Sequence, residues 1–109
     1  MGQSFKKGDT GEPYQGAVED SDGAVDLTGN ESVEFYMENA ETGNLKINGK
    51  SMTVTDATNG EVEYEWDDED VDTAAPYKAE IKVSFIDGEE TFPSNGYKSI
   101  KIEEDLEDN

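Results

Sequence analysis

The stretch from Gly60 to Phe85 allows few folds, because it holds two runs in which apolar and polar side chains alternate without a break. In the first, Val62, Tyr64 and Trp66 alternate with Glu61, Glu63 and Glu65; in the second, Tyr77, Ala79, Ile81, Val83 and Phe85 alternate with Lys78, Glu80, Lys82 and Ser84. Successive side chains of a strand point to opposite faces, so period-two patterning predicts two strands with one face on a core and one in water. The single tryptophan and two of the five tyrosines fall here. Val62, Tyr64, Trp66, Tyr77, Ile81, Val83 and Phe85, with Phe35 from an earlier strand, are the predicted core.

A chain of 109 residues supports one core and one domain. Its 28 acidic residues against 8 lysines give a formal charge of −20. High charge with low hydrophobicity marks disordered chains, but a disordered chain has no reason to alternate so regularly. Glu61, Glu63 and Glu65 would stand about 6.7 Å apart along one strand face. Each neighbouring pair then repels by about 0.6 kcal/mol in water. The Debye length falls from about 8 Å in physiological salt to about 3 Å at 1 M. Self-repulsion therefore penalises the fold in ordinary buffer and is relieved in brine. The composition reads as that of a halophile; an acidic domain with a basic partner is the plainer alternative.

Phosphate binding needs basic stripes that are absent here, so nucleic acid is not an expected partner. The absence of cysteine excludes disulfides and thiolate metal sites. No run approaches a membrane span, and the first residues lack the apolar segment of a secretory signal. Neither a membrane association nor a cofactor is expected.

Along the chain, residues 1–11 read as an extended arm bearing the adjacent Lys6 and Lys7, residues 12–103 as the folded domain, and 104–109 as an acidic tail. Strands are predicted at Glu12–Glu19, with Pro13 marking a sheet edge, at Ser32–Glu38 with Val33, Phe35 and Met37 inward, and at Leu45–Ile47. Asn48-Gly49 is a strong hairpin signal, leading into a strand at Met52–Ala57. A helical turn is expected at Val71–Ala75. After a turn at Ile86–Glu89 the last strand runs from Thr91 to Glu103, interrupted at Pro93–Gly96. Seven to eight short strands with turns every eight to twelve residues predict an all-β, immunoglobulin-like antiparallel sandwich. Asp72-Thr-Ala-Ala-Pro-Tyr77 adds the look of a tyrosine corner, in which a Tyr at a strand start donates its hydroxyl to nearby backbone.

Further landmarks run the length of the chain: Gly8-Asp9-Thr10-Gly11-Glu12-Pro13, Asp20-Ser21-Asp22-Gly23, Val25-Asp26-Leu27-Thr28, Val33-Glu34-Phe35-Tyr36-Met37, Gly60-Glu61-Val62-Glu63-Tyr64-Glu65-Trp66 and Pro76-Tyr77-Lys78-Ala79-Glu80. Asp87-Gly88, Phe92-Pro93 and Ile100-Lys101-Ile102 through Leu106 follow. In order and spacing they resemble the immunoglobulin-like N-terminal domain of baseplate upper proteins of tailed bacteriophages. The resemblance implies a virion structural role, in which such domains dock a host-recognition module onto the tail or baseplate. The chain ends where the family domain ends, without the receptor-binding extension, so decoration of a capsid is equally expected. Its acidity would suit a tailed virus of a halophilic archaeon, placing the protein on the exterior of a virion in a high-salt medium.

Three sets of residues stand out as site candidates. Asp20, Asp22 and Asp26 look like half a calcium loop, but the spaced ligands and closing Glu of a full loop are missing, and a turn explains them more simply. Asp67-Asp-Glu-Asp70 with Asp72 reads as a solvated acidic run. The lysines are the third set. If the strands at 33–38 and 61–66 share one sheet, its outer face carries glutamates alone. The other sheet then gathers Lys46, Lys78, Lys82, Lys98 and Lys101. With Lys6 and Lys7 these form the expected assembly interface, although lysines also protect strand edges. Histidine, cysteine and arginine are absent, and no enclosed carboxylate pair is expected, so the chain is read as a non-enzyme. The expected partners are other virion proteins in symmetric copies. Two alternatives remain: a host-surface module binding a glycan or receptor, which needs clustered exposed aromatics where only Tyr36 looks outward, and a cation-dependent adhesive sandwich.

Overall fold

The structure, a computed structural model, describes residues 3–93 and 96–104. Its longest strand, β9 (Ala75–Phe85), alternates buried and open positions along nearly its whole length. Antiparallel to it lies β5 (Ser32–Asn39), with Val33, Phe35 and Met37 opposite Val83, Ile81 and Ala79. On the far side of β5 is β6 (Leu45–Ser51). The other edge of β9 is shared by β10 (Gly88–Phe92) and β11 (Lys98–Glu103), and β1 (Gln3–Lys6) pairs with β11 in parallel. Across the core a smaller sheet runs β2 (Tyr14–Ala17), β8 (Glu61–Tyr64), β7 (Thr53–Asp56). A two-residue hairpin, β3 (Glu19–Asp20) with β4 (Gly23–Ala24), completes the set.

Two sheets facing each other, antiparallel except for the β1–β11 pair, make an immunoglobulin-like β-sandwich. Counting β10 and β11 as the two halves of one neighbour of β9, eight strand positions build it. Between the sheets the rings of Phe5, Tyr14, Phe35, Tyr64 and Trp66 interlock, with centroids 5.0 to 6.3 Å apart. Ring pairs at this spacing add about 0.5–1.5 kcal/mol each beyond their area burial. Leu27, Ile47, Val62, Ile81, Ile100 and Ile102 fill the remaining interior. Each such side chain contributes about 1.5–3 kcal/mol by leaving water.

Five expectations need correcting. The strands at 33–38 and 61–66 lie in opposite sheets, and the register gives the reason. Beside β9, Glu34 and Glu38 stand opposite Lys82 and Lys78; beside β8 they would face Glu61, Glu63 and Glu65, and like charges across a pair destabilise it. Asn48-Gly49 is no hairpin turn but lies within β6, at a bulge against Phe35 and Tyr36. Gly49 holds a φ of 72° there, which suits glycine in a bulge as well as in a turn. Residues 3–6 of the expected arm are a strand, because Phe5 buries its ring edge-on against Trp66. The helical turn sits earlier, at Asp68–Val71, since the residue before Pro76 must be extended. Phe85 is half-buried at the margin of the core, whereas the other seven predicted core residues are buried. The tail beyond Glu104 lies outside the described residues.

One glycine fixes the path into the smaller sheet. Gly60 has a φ of 68°, and a Cβ there would stand 2.6 Å from the Val18 carbonyl oxygen and 2.7 Å from that of Val25. The approach lets Val18 donate to the Gly60 carbonyl at 2.7 Å. The corner packing Val18 and Leu27 under β8 depends on it.

Candidate functional surfaces

The tyrosine corner is present: Tyr77 donates its hydroxyl to the Thr73 carbonyl at 2.7 Å. Burial, and then the charge of Asp72, push this phenol above its ordinary value. The neighbouring turn holds the buried carboxylate of Asp70, 1% exposed. It accepts from the Tyr64 hydroxyl at 2.7 Å and the Asp67 backbone N–H at 2.9 Å. Lys50 reaches down from β6 to within 3.4 Å of Asp70 and 3.3 Å of Asp67. Burial works against the Lys50 charge, but Asp70 and Asp67 outweigh it and hold the ammonium above its usual range. Burial, followed by the bond to Asp70 and its charge, drives the Tyr64 phenol well upward. Lys46 pairs with Asp72, whose carboxyl is held low by Lys46 first and Thr73 second. Lys46 and Lys50 thus tie the edge of one sheet to the turn that closes the other.

The seven candidate lysines divide. Lys78, Lys82, Lys101 and Lys6 occupy the outer face of the larger sheet, since their strand neighbours Tyr77, Ala79, Ile81, Val83, Ile100, Ile102 and Phe5 point inward. Lys82 lies over the Tyr36 ring at 5.3 Å and Lys78 over Tyr97 at 5.0 Å. Such contacts add about 0.5–1 kcal/mol at exposed sites. Lys6 pairs with Glu103 and Lys7 with Glu104, both at 3.4 Å. Lys46 and Lys98 leave the set: Lys46 is bound to Asp72, and Lys98 donates to the Ala17 carbonyl across the sandwich at 3.0 Å. Glu34, Glu38 and Glu80 share the lysine face by register, so its charges are mixed. Leu45 and Tyr97 add exposed apolar surface at 55% and 57%. The smaller sheet turns Glu61, Glu63 and Glu65 outward, beside Gln15 and Thr53, with no lysine on its three strands.

Asp20, Asp22 and Asp26 do not converge. Asp20 accepts from the Asp22 backbone N–H, and Asp26 from Thr28, whose hydroxyl and then N–H hold the Asp26 carboxyl low. Among the described residues no three acids gather as a metal-binding group.

Beside β2, the edge strand of the smaller sheet, runs a cleft of about 680 Å³. Two straps cross the gap between the sheets here: the Gln3 side-chain amide donates to the Gln15 carbonyl, and Lys98 to that of Ala17. The floor is Tyr14, buried to 2% exposure, its phenol pushed up to about 12 by burial. Its hydroxyl has no hydrogen-bond partner among the described residues. Gly16 leaves room for it, since a Cβ there would stand 3.1 Å from the hydroxyl oxygen. Sequence reasoning found neither this cleft nor the Lys50–Asp70–Tyr64 knot. Alternation identifies Tyr14 as inward but cannot show that a glycine two residues on, its neighbour on the same face, uncovers it. No protein-family model matches the chain, and no curated protein matches it.

Proposed function

We propose that this domain is a non-enzymatic assembly module of a tailed virion, built to work in strong brine and docking through the outer face of its larger sheet. The division of charge between the two outer faces carries this reading. The small-sheet face bears Glu61, Glu63 and Glu65 without a base, and it repels any acidic neighbour. The large-sheet face sets Lys6, Lys78, Lys82 and Lys101 among its glutamates and adds Tyr36, Tyr97 and Leu45. Its occupant is an acidic neighbouring subunit, which a lysine-bearing face with aromatic bodies accepts and the other face rejects. The resemblance to baseplate upper proteins supports a subunit of the tail or baseplate as that neighbour, with the capsid exterior as the alternative setting. An enzymatic role lacks support: the one buried carboxylate among the described residues, Asp70, is engaged by Tyr64, Asp67 and Lys50, and such a knot serves stability.

The test is incorporation into particles of a variant with Lys78→Glu and Lys82→Glu together. Like charges across a contact cost several kcal/mol, so incorporation should fall at least about tenfold while Trp66 fluorescence still reports a folded chain. Wild-type incorporation of the folded variant would overturn the docking face.

A further inference from the structure

Apart from Tyr97, which also borders the lysine face, the cleft beside β2 is not used by the assembly reading, and its chemistry is selective. We infer that it is a binding site for a neutral saccharide residue, seated over the Tyr14 hydroxyl and against the Tyr97 ring.

The Tyr14 hydroxyl is the first observation. Phenols on buried side chains usually find a hydrogen-bond partner, and one that still reaches solvent offers its hydroxyl to a ligand. This one lies in a side chain that is 98% buried (2% exposed), opens onto the cleft, and is unpartnered among the described residues. Glycine at position 16 keeps it uncovered. A ligand hydroxyl supplies the missing partner.

The walls decide the ligand class. Gln15, Thr55, Glu61 and Ser99 bring an amide, two hydroxyls and a carboxylate, groups that can donate to or accept from a ring of alcohols. Tyr97 is 57% exposed and supplies an aromatic face for the C–H side of a pyranose. A volume of about 680 Å³ lies within the usual range for small-molecule sites. Other classes fit poorly. An anion would meet Glu61 on a chain of charge −20, and the lysine in the lining, Lys98, is already held by the Ala17 carbonyl. A cation would find one carboxylate where it needs several. An added peptide strand would compete for the Gln15 and Ala17 carbonyls, which already accept from Gln3 and Lys98. An apolar molecule would strand every polar wall group.

The experiment is a two-dimensional amide NMR titration of the full chain in molar salt. The probes are glucose, galactose, mannose and N-acetylglucosamine, with glucuronate as the charged control. At least one neutral sugar should shift Gln15, Gly16, Thr55 and Ser99 together and saturate in the millimolar range, with glucuronate at least about tenfold weaker. Tyr14→Phe removes an unpartnered hydroxyl, so it should melt at or above the parent's temperature yet bind about five- to tenfold more weakly. Tyr97→Ala should weaken binding about tenfold without touching the core. No saturable shift at these amides with any of the four sugars up to about 50 mM, or unchanged affinity in folded Tyr14→Phe, would overturn the inference. Because the titration needs no particle, its failure leaves the assembly reading untouched.

Discussion

At the scale of single residues, the strongest dependence falls on Asp70. Replacing it by alanine strands the Tyr64 hydroxyl and the Asp67 N–H and leaves Lys50 without its buried partner. Unfolding by denaturant should show a loss of about 3 kcal/mol. Tyr77→Phe, which removes only the corner bond to Thr73, should cost about 1 kcal/mol. The tyrosines also set an alkaline limit. Tyr14, Tyr64 and Tyr77 all have raised values, with Tyr14 near 12, so the folded chain keeps protons that the unfolded chain releases near pH 10. Their contribution is complete below about pH 10 and is lost as pH climbs through the folded values. Stability followed by Trp66 emission should therefore fall from about pH 10 upward, and Tyr14→Phe should shallow that fall. An unchanged slope would mean that Tyr14 is not held protonated by the fold. The sequence does not single Asp70 out, because it stands in an acidic run whose members look alike. The one signal is Asp67 three residues before it, the spacing at which a side chain reaches back to cap a turn.

At the scale of elements, alternation reads out faces well and partners poorly. Val33, Phe35, Met37, Val62, Tyr64, Ile81 and Val83 are all buried as their spacing requires, because facing is a local property of the strand. Which strand lies beside which depends on contacts far apart in sequence, and there the patterning misplaced β5. The cross-strand pairs of Glu34 with Lys82 and Glu38 with Lys78 hold the information, but they emerge only once both strands are laid side by side. Three of the five lysines assigned to the larger sheet are legible for the same reason. Lys78, Lys82 and Lys101 follow from alternation; Lys98, in phase with the buried Ile100 and Ile102, faces inward by that same alternation, and Lys46 is turned by the bulge in β6. Turns show the opposite failing, since Asn48-Gly49 encodes a left-handed backbone without saying whether it reverses the chain. Where that conformation also meets a close approach, the consequence is sharp. Gly60→Ala would press a Cβ into two carbonyl oxygens and should cost about 2–4 kcal/mol in denaturant unfolding.

At the scale of the whole molecule, a charge of −20 on 109 residues governs behaviour in solution. Self-repulsion should make the domain more stable as salt rises from about 0.1 to 3 M. A melting temperature that stays flat over that range would remove the brine reading. Under the proposed assembly role the same charge makes the choice of docking face consequential, because a particle of acidic subunits would close its contacts where repulsion is least. The most direct test is an electron cryo-microscopy map of purified particles carrying this chain. The account predicts symmetric copies of the sandwich with Lys78, Lys82, Tyr36 and Leu45 against a neighbouring subunit and Glu61, Glu63 and Glu65 toward solvent. Copies of the chain that touch no neighbouring subunit, or a contact made through the glutamate face, would contradict it.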